Sequence, residues 1–303
     1  MSEVRAAGYR LLGRRLDYLL HLRPAEWPIL AAHTTAGYLL AVGLPGAAAG
    51  ERLRPALLGL VLWVVCLNGG TLALNSAFDR DEGDIAYLRN PPPPPRRLAG
   101  FALGLMAAGQ LAALALPRPF AWVYALCFVL SVLYSVPPVR LKAVAGADWL
   151  INMVGFGTLT PLAGWVTTGR PLGTTSFLVL LGFCPLFAAL YPLTQLYQLE
   201  EDARRGDRTL ALMLGARRSL DAALGATGLA FLLFGWAALR SPWGSAGWRW
   251  AALGVGLLGW LAVLLPWRRD VHRLAPREHQ RRMYLALAAW AVTDVVVILV
   301  WGA

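Results

Sequence analysis

The chain has 303 residues, of which 57% are hydrophobic and 15% charged, and its mean hydropathy is +0.53. This composition excludes an ordinary soluble domain and indicates an integral membrane protein. The net charge of +11 does not require nucleic acid as a partner, because basic loops facing anionic membrane lipid account for it.

Apolar runs close to the ~20 residues that a bilayer requires recur along the whole chain and predict an all-α, polytopic fold with nine transmembrane helices. Residues 1–26 precede the first run and read as a basic, amphipathic cytoplasmic segment on the membrane surface. The approximate bounds of the nine predicted spans are 27–45, 55–78, 98–116, 120–135, 147–169, 174–198, 219–239, 246–266 and 283–302.

The distribution of basic residues predicts the orientation of these spans. With nine spans and a cytoplasmic N-terminus, 22 of the 28 Lys and Arg residues fall on the cytoplasmic side, as the positive-inside rule requires. We therefore expect one domain over 1–303 in the cytoplasmic membrane. Its two acidic loops, at 79–97 and 199–218, would then be cytoplasmic.

Two polar stripes are repeated at a constant offset of 123 residues. The first stripe is Thr71, Asn75 and Asp79, followed by Gly83 and Asp84. The second stripe is Thr194, Gln198 and Asp202, followed by Gly206 and Asp207. Spacing of four keeps each stripe on one helix face. The offset spans four predicted helices, so both stripes emerge on one side of the membrane, as in an internal four-helix repeat.

The acidic stretches that follow the stripes predict a magnesium site. Eight of the 17 acidic residues lie in NSAFDRDEGD and QLEEDARRGD, and clustered carboxylates need a counterion to stay ionised. Mg²⁺ takes one or two protein carboxylates and completes its shell with water and phosphate oxygens. Two facing clusters would therefore suit Mg²⁺ ions that hold a diphosphate. Plain solvation of acidic loops is the competing interpretation.

Cationic side chains follow the fourth span and the first acidic loop. LYSVPPVRLK carries Arg140 and Lys142, the only lysine in the chain, to the predicted cytoplasmic side. They would bind a diphosphate or simply satisfy the positive-inside rule. The stiff run PPPPPRR delivers Arg96 near the third span, unless it is only a linker.

The stretches NSAFDRDEGD, YSVPPVRLK and YQLEEDARRGDRTLALMLG, in this order along nearly the whole chain, resemble the UbiA superfamily of intramembrane prenyltransferases. The resemblance implies nine helices around a central lipid-open cavity, with Mg²⁺ and an isoprenyl diphosphate held by two aspartate-rich motifs. It assigns metal ligation to Asp79, Asp84, Asp202, Asp207 and the further candidate Asp81. Asn75 and Gln198 would complete the shell, while Arg140, Lys142 and Arg96 would contact phosphate oxygens.

The sequence departs from the usual motifs of the superfamily at two positions. Ser76 stands where the first motif commonly has an early aspartate, and Gln198 replaces the leading aspartate of the second. The implied reaction is Mg²⁺-dependent ionisation of the diphosphate and transfer of the prenyl group to a lipophilic, possibly aromatic, acceptor. Cyclisation of the prenyl chain without a second substrate is the close alternative, and cation transport is disfavoured because the clusters sit at one interface.

Several side chains within the predicted spans are further candidates. Asp148 and Asn152 lie one turn apart and would bind an acceptor or accept a proton. Asp294 is either functional or paired with a polar neighbour, and His33 is expected to be a hydrogen-bonded packing residue. Aromatic side chains that would stabilise a carbocation, or only pack, are Trp63, Tyr124, Tyr191 and Tyr197.

Overall fold

The computed structural model describes residues 3–48, 50–79, 85, 88–144, 146–199, 203, 209–243 and 247–303. Regular structure in these ranges is helical, apart from an isolated bridge between Ile85 and Leu88. The predicted all-α class is confirmed.

Within these described ranges, two short helices precede nine longer ones. Their bounds are α1 Glu3–Leu12, α2 Leu16–His21, α3 Trp27–Val42, α4 Gly50–Asp79, α5 Leu98–Ala113, α6 Arg118–Ser135, α7 147–166, α8 Thr174–Leu193, α9 Leu210–Leu239, α10 Gly247–Asp270 and α11 Pro276–Gly302. Each predicted span overlaps one helix from α3 to α11. Within the described residues, six of these helices (α4, α6, α8, α9, α10 and α11) are long and apolar enough to cross a membrane. Crossing by all nine remains a prediction.

The long helices contact one another in chain order and close into a ring where α11 meets α3. Helix α3 also packs along α7, across the ring. This crossing is close because both helices present glycine: a Cβ on Gly37 would overlap the Pro161 carbonyl, and one on Gly164 would overlap the Thr34 carbonyl. Small residues let helix backbones approach in this way.

The N-terminal segment does more than lie on the surface. Helix α1 is largely exposed, but Leu22 is buried against α4 and α5 with Leu74 and Leu98. The segment also contacts the proline run: the Arg5 guanidinium donates to the Arg89 and Asn90 carbonyls, and His21 Nε2 lies 3.1 Å from the Pro92 carbonyl oxygen. The C-terminal end of the predicted surface segment is therefore packed against the helical bundle.

Two helices contain a wide turn in the middle. Residues Leu62–Gly69 of α4 and Met153–Leu159 of α7 are π-helical. Such segments are rare and occur often at functional sites, because they leave backbone groups outside the regular ladder and turn side chains to new directions. Both segments line the same interior cavity.

Candidate active site

The ring encloses a cavity of about 860 Å³ lined by α3, α4, α6, α7, α8 and α11. Most of its wall is apolar, and its polar groups are concentrated in a few places. A largely apolar cavity with a small number of directed polar groups is the usual form of a ligand site.

The two repeated stripes meet at this cavity. Thr71 and Asn75 line it from α4, and Thr194 and Gln198 line it from the end of α8. The Thr71 hydroxyl lies 2.7 Å from Ser131 Oγ on α6, which joins the first stripe to a third helix. The structure therefore brings these four residues of the two stripes to one cavity.

Asp79, at the end of α4, lies beside both predicted phosphate-binding cations. Arg140 Nη2 donates to Asp79 Oδ1 at 3.0 Å, and the Lys142 ammonium contacts the same oxygen. Lys142 also donates to Asn75 Oδ1 at 2.6 Å. The lysine is nearly buried, with 11% of its side chain exposed, whereas Arg140 is 43% exposed. The loop after α6 thus carries positive charge to the end of the first stripe.

The remaining predicted metal ligands, Asp81, Asp84, Asp202 and Asp207, lie outside the described residues. Within the described ranges no group of three or more His, Cys, Asp and Glu side chains could hold a metal. Asn75, Asp79 and Gln198 nevertheless supply the oxygen donors that Mg²⁺ prefers. This donor set fits a magnesium ion that is completed by phosphate oxygens.

Arg96 is described and exposed, and it does not line the cavity. The structure therefore does not bring it to the other candidate phosphate-binding groups. Arg89, from the same segment, does line the cavity.

Two charged residues just before the first span line the cavity although the sequence pattern did not single them out. Arg23 is buried, lines the cavity, and donates to Ser76 Oγ at 3.2 Å. Glu26 lines the cavity one helical turn later, and burial raises its pKa from the ordinary 4.5 to about 7, although nearby Arg23 acts in the opposite direction. The charged pair before the first span is the available signal, but the amphipathic pattern of residues 1–26 groups it with a surface segment.

Polar side chains of α6, α7 and α8 form a hydrogen-bonded group on one wall. Tyr191 donates to Asp148 Oδ2 at 3.0 Å, and Asn152 Nδ2 donates to the Tyr134 hydroxyl at 3.2 Å. Asn152 Nδ2 also donates to the Asp148 carbonyl at 2.8 Å. Tyr134, Asn152 and Tyr191 line the cavity, whereas Asp148 is buried behind them.

Asp294 is paired deep in the bundle. Its Oδ1 lies 3.0 Å from His33 Nδ1, and its Oδ2 accepts from Trp290 Nε1 at 3.1 Å. His33 Nε2 lies 3.3 Å from the carbonyl oxygen of Gly157, within the wide turn of α7. A buried carboxyl group is satisfied by these partners, which agrees with the paired alternative for Asp294. His33 is hydrogen bonded as expected, and it also lines the cavity.

Aromatic side chains surround this deep part of the cavity. Trp63 and Trp290 line it, as do Phe156 and Phe187, whose rings stack at 5.2 Å. Of the aromatic candidates from the sequence, Trp63, Tyr191 and Tyr197 line the cavity. Tyr124 does not: it is fully buried behind Trp63 and donates to the Met106 carbonyl.

Comparisons with known proteins agree with this arrangement. Residues 30–293 match the model of the UbiA prenyltransferase family, and no curated protein matched the chain. A UbiA homologue from Archaeoglobus fulgidus, solved with DMAPP and Mg²⁺, superposes with a TM-score of 0.65 at 18% identity over 94% of this chain and 99% of its own. The same homologue with GPP and Mg²⁺ gives 0.64 at 18% identity over 93% and 99%.

A digeranylgeranylglyceryl phosphate synthase gives a TM-score of 0.70 at 15% identity and covers 94% of this chain and 97% of its own. At these identities the solved structures show a shared fold.

Proposed function

Because the chain belongs to the UbiA prenyltransferase family, we propose that it ionises an isoprenyl diphosphate within the membrane and transfers the prenyl group to a lipophilic acceptor, with release of diphosphate. The meeting of the two polar stripes at one cavity, next to Arg140 and Lys142, carries this proposal. One solved homologue binds Mg²⁺ with DMAPP and with GPP, which supports Mg²⁺ dependence in the family.

Asp79, Asp84, Asp202 and Asp207 would hold Mg²⁺, with Asp81 as a further ligand and Asn75 and Gln198 completing the shell. Bound there, Mg²⁺ supplies positive charge to the oxygens of the departing diphosphate. The position of Asn75 and Gln198 on one cavity supports this set.

Lys142 and Arg140 would stabilise the negative charge that develops on the leaving group. Their contacts with Asp79 place both cations at the end of the first stripe. Arg96 remains a sequence-based candidate for the same role. Its exposure outside the cavity favours the two cations after α6.

The prenyl chain would occupy the apolar depth of the cavity, away from the stripes. Aromatic faces there, such as those of Trp290 and Phe187, stabilise a neighbouring carbocation by cation–π attraction. The apolar wall also keeps the cation from water, which would otherwise capture it.

Nine spans around a lipid-open cavity, with the N-terminus and both acidic loops cytoplasmic, complete the proposal. Shifting the chain by 123 residues places α3 on α7, α4 on α8, α5 on α9 and α6 on α10. This correspondence supports an internal repeat of four helices with α11 left over.

The proposal is tested by Asp79→Asn and Asp202→Asn in purified protein reconstituted into liposomes. Each substitution removes one ligand charge, so Mg²⁺-dependent diphosphate release from geranylgeranyl diphosphate should fall by about 10²-fold or more. Asp221→Asn is the matched control, since this aspartate pairs with Arg268 on an exposed surface. Unchanged release in both site variants would refute the metal role.

The products separate the remaining alternatives. A prenylated acceptor supports the transferase, whereas a cyclic hydrocarbon or alcohol formed without acceptor identifies a terpene cyclase. Mg²⁺ flux without diphosphate release would identify a cation transporter.

A further inference from the structure

A second cavity lies between α7, α8 and α9, on the outer side of α8. It has a volume of about 580 Å³ and opens along one side, so we call it the lateral groove. Pro185 and Ala188 of α8 are buried at its floor, Trp149 of α7 borders it, and α9 contributes a stripe from Ala222 to Leu233. Among the described residues, those that line the groove are uncharged and do not line the active-site cavity.

The groove opens toward the bilayer. Leu229 lines it and is 52% exposed, and a Cβ on Gly225 would meet no atom within 4 Å. Helix α9 is long and apolar enough to cross a membrane. An exposed apolar face on such a helix contacts lipid chains rather than water.

The dimensions of the groove match one hydrocarbon chain. Leu233 lies eleven residues after Ala222, a rise of about 16 Å and close to half of the ~30 Å hydrocarbon core. Its volume over this length gives a mean cross-section of about 36 Å², whereas a helix about 10 Å in diameter occupies roughly 80 Å². A helix of a second copy is therefore too wide, and a single chain within one leaflet fits.

Arg218 lies at the end of the groove that the predicted topology places at the cytoplasmic interface. It is exposed and lies one turn before Ala222, so the two share a helix face with Gly225 and Leu229. Arg217 lies on another face, where it interacts with Asp221. The apolar groove therefore ends at a guanidinium, at the level of lipid head groups.

We propose that the lateral groove binds one acyl chain of an anionic phospholipid, whose phosphodiester lies on Arg218. A phosphodiester carries a single negative charge, which one guanidinium balances. An isoprenyl diphosphate carries more charge and finds both cations and oxygen donors at the active-site cavity instead. Burial of the chain supplies affinity, while Arg218 sets the preference for an anionic head group.

The bound lipid packs on the helix that leads to the second stripe. Phe187 and Tyr191, on the opposite side of α8, line the active-site cavity, and Thr194 follows the helix. The inference goes beyond the proposed function and does not depend on it. Lipid binding is expected without Mg²⁺ and without a diphosphate.

The test uses the full chain in lipid-free detergent, mixed with phosphatidylglycerol or with phosphatidylcholine of the same acyl chains. Native mass spectrometry measures the bound lipid. Gly225→Leu places a side chain in the groove, and Gly228→Leu is the matched control, because it adds the same side chain to open space on another face of α9. Arg218→Gln removes the charge at the end of the groove, with Arg217→Gln as its control.

We expect wild type to hold one phosphatidylglycerol about fivefold more tightly than phosphatidylcholine, the factor that one basic side chain supplies at a lipid surface. Arg218→Gln should remove this preference. Gly225→Leu should weaken binding of both lipids about tenfold, because methylene groups of the chain lose their place. Both control variants should bind as wild type does.

Two further measurements locate the lipid and exclude misfolding. A phosphatidylglycerol with a photoreactive diazirine in its acyl chain should label the peptide that contains Ala222–Leu233. Added phosphatidylglycerol should raise the Tm of wild type but not that of Gly225→Leu. Without lipid, Gly225→Leu should have a Tm no lower than wild type, since leucine favours a helix over glycine.

Four results would overturn the inference. Equal lipid binding by Gly225→Leu and wild type would empty the groove of its proposed occupant. Label spread evenly over all lipid-facing helices would indicate an adventitious lipid only. Displacement of the lipid by geranylgeranyl diphosphate would assign the groove to isoprenoids, and a change of oligomeric state in Gly225→Leu would assign it to a second copy. Failure of the proposed function is distinct, because no reaction is measured here.

Discussion

Among the single residues of the candidate site, Lys142 is the one that connects the first polar stripe to the cationic loop after α6. It contacts Asp79 and Asn75 although only 11% of its side chain is exposed. A nearly buried ammonium needs partners, and here the partners are the proposed metal shell. The lysine therefore shares its carboxylate and amide partners with the proposed metal shell, at the place where the diphosphate would bind.

Lys142→Met should lower kcat/KM for geranylgeranyl diphosphate by about 10² to 10³, because a charge next to the leaving group is lost. Lys142→Arg should recover only part of this, since a planar guanidinium does not reproduce a compact ammonium. Steady-state diphosphate release measures both, and exposed Arg269→Met is the control for net charge. Equal rates for Lys142→Met and wild type would remove Lys142 from the site.

Glu26 gives a prediction for pH. Its pKa is raised to about 7 by burial, so the unfolded chain ionises first and the native state loses stability as pH rises from about 4.5 to about 7. The Glu26→Gln variant has no ionisable group at this position, so its stability does not fall over this pH range for this reason. The variant should match wild type near pH 4.5 and unfold at a higher Tm above pH 7 in detergent, whereas exposed Glu3→Gln should show no such pH trend. A Tm difference that does not change with pH would contradict the assignment.

The residues of the two stripes could be predicted from sequence because spacing of four on a helix is a local property. Their neighbours could not. Arg23 reaches Ser76 across 53 positions of sequence, and Tyr191 reaches Asp148 across 43. Such pairs depend on how helices pack, and a single sequence does not encode that packing as a pattern.

Helix positions were the part of the fold most open to prediction, since a bilayer imposes the length of an apolar run. Helix ends were less accurate: α9 begins at Leu210 rather than near 219, with a break at Gly215 where φ is 76°. The π-helical turns of α4 and α7 could not be predicted from the hydropathy pattern. They depend on which carbonyl accepts from each backbone N–H, and hydropathy contains no information about that pairing.

Alanine is expected to have opposite effects on stability at two helical glycines: Gly164, at the crossing of α3 and α7, and Gly225, on α9. Gly164→Ala places a methyl group on the Thr34 carbonyl and should destabilise the protein by about 1–3 kcal/mol. Gly225→Ala meets no atom within 4 Å and should stabilise it by roughly 0.5–1 kcal/mol through helix propensity. Chemical denaturation in mixed micelles measures both. Equal effects would mean that the helices do not approach as described.

The whole molecule combines an odd number of predicted spans with a strong charge asymmetry. The basic residues of 1–26 and of the even-to-odd loops share one side of the bundle in this topology. Both acidic loops share it as well, so metal and diphosphate would enter from the cytoplasm. The sidedness is a prediction from charge alone.

Single introduced cysteines test the predicted orientation in a variant whose three native cysteines are replaced by alanine. In intact cells, Arg54→Cys should react with a membrane-impermeant maleimide and Arg269→Cys should react only after lysis. Detergent-solubilised protein, in which both should react, is the control. The reverse pattern would invert the orientation and move the acidic loops outside.

Trp63 forms the deep end of the cavity, where its indole nitrogen donates to Thr160 and its ring meets Phe120 and Tyr124. Sixteen residues of α4 separate it from Asp79, which corresponds to at most about 24 Å, because the π-helical segment Leu62–Gly69 rises less per residue than an α-helix. With the diphosphate held at one end, we expect this tryptophan to limit the length of the isoprenoid that fits in the cavity. Trp63→Ala should shift substrate preference toward diphosphates with more isoprene units, measured by competition between two chain lengths, whereas Tyr284→Phe should leave it unchanged.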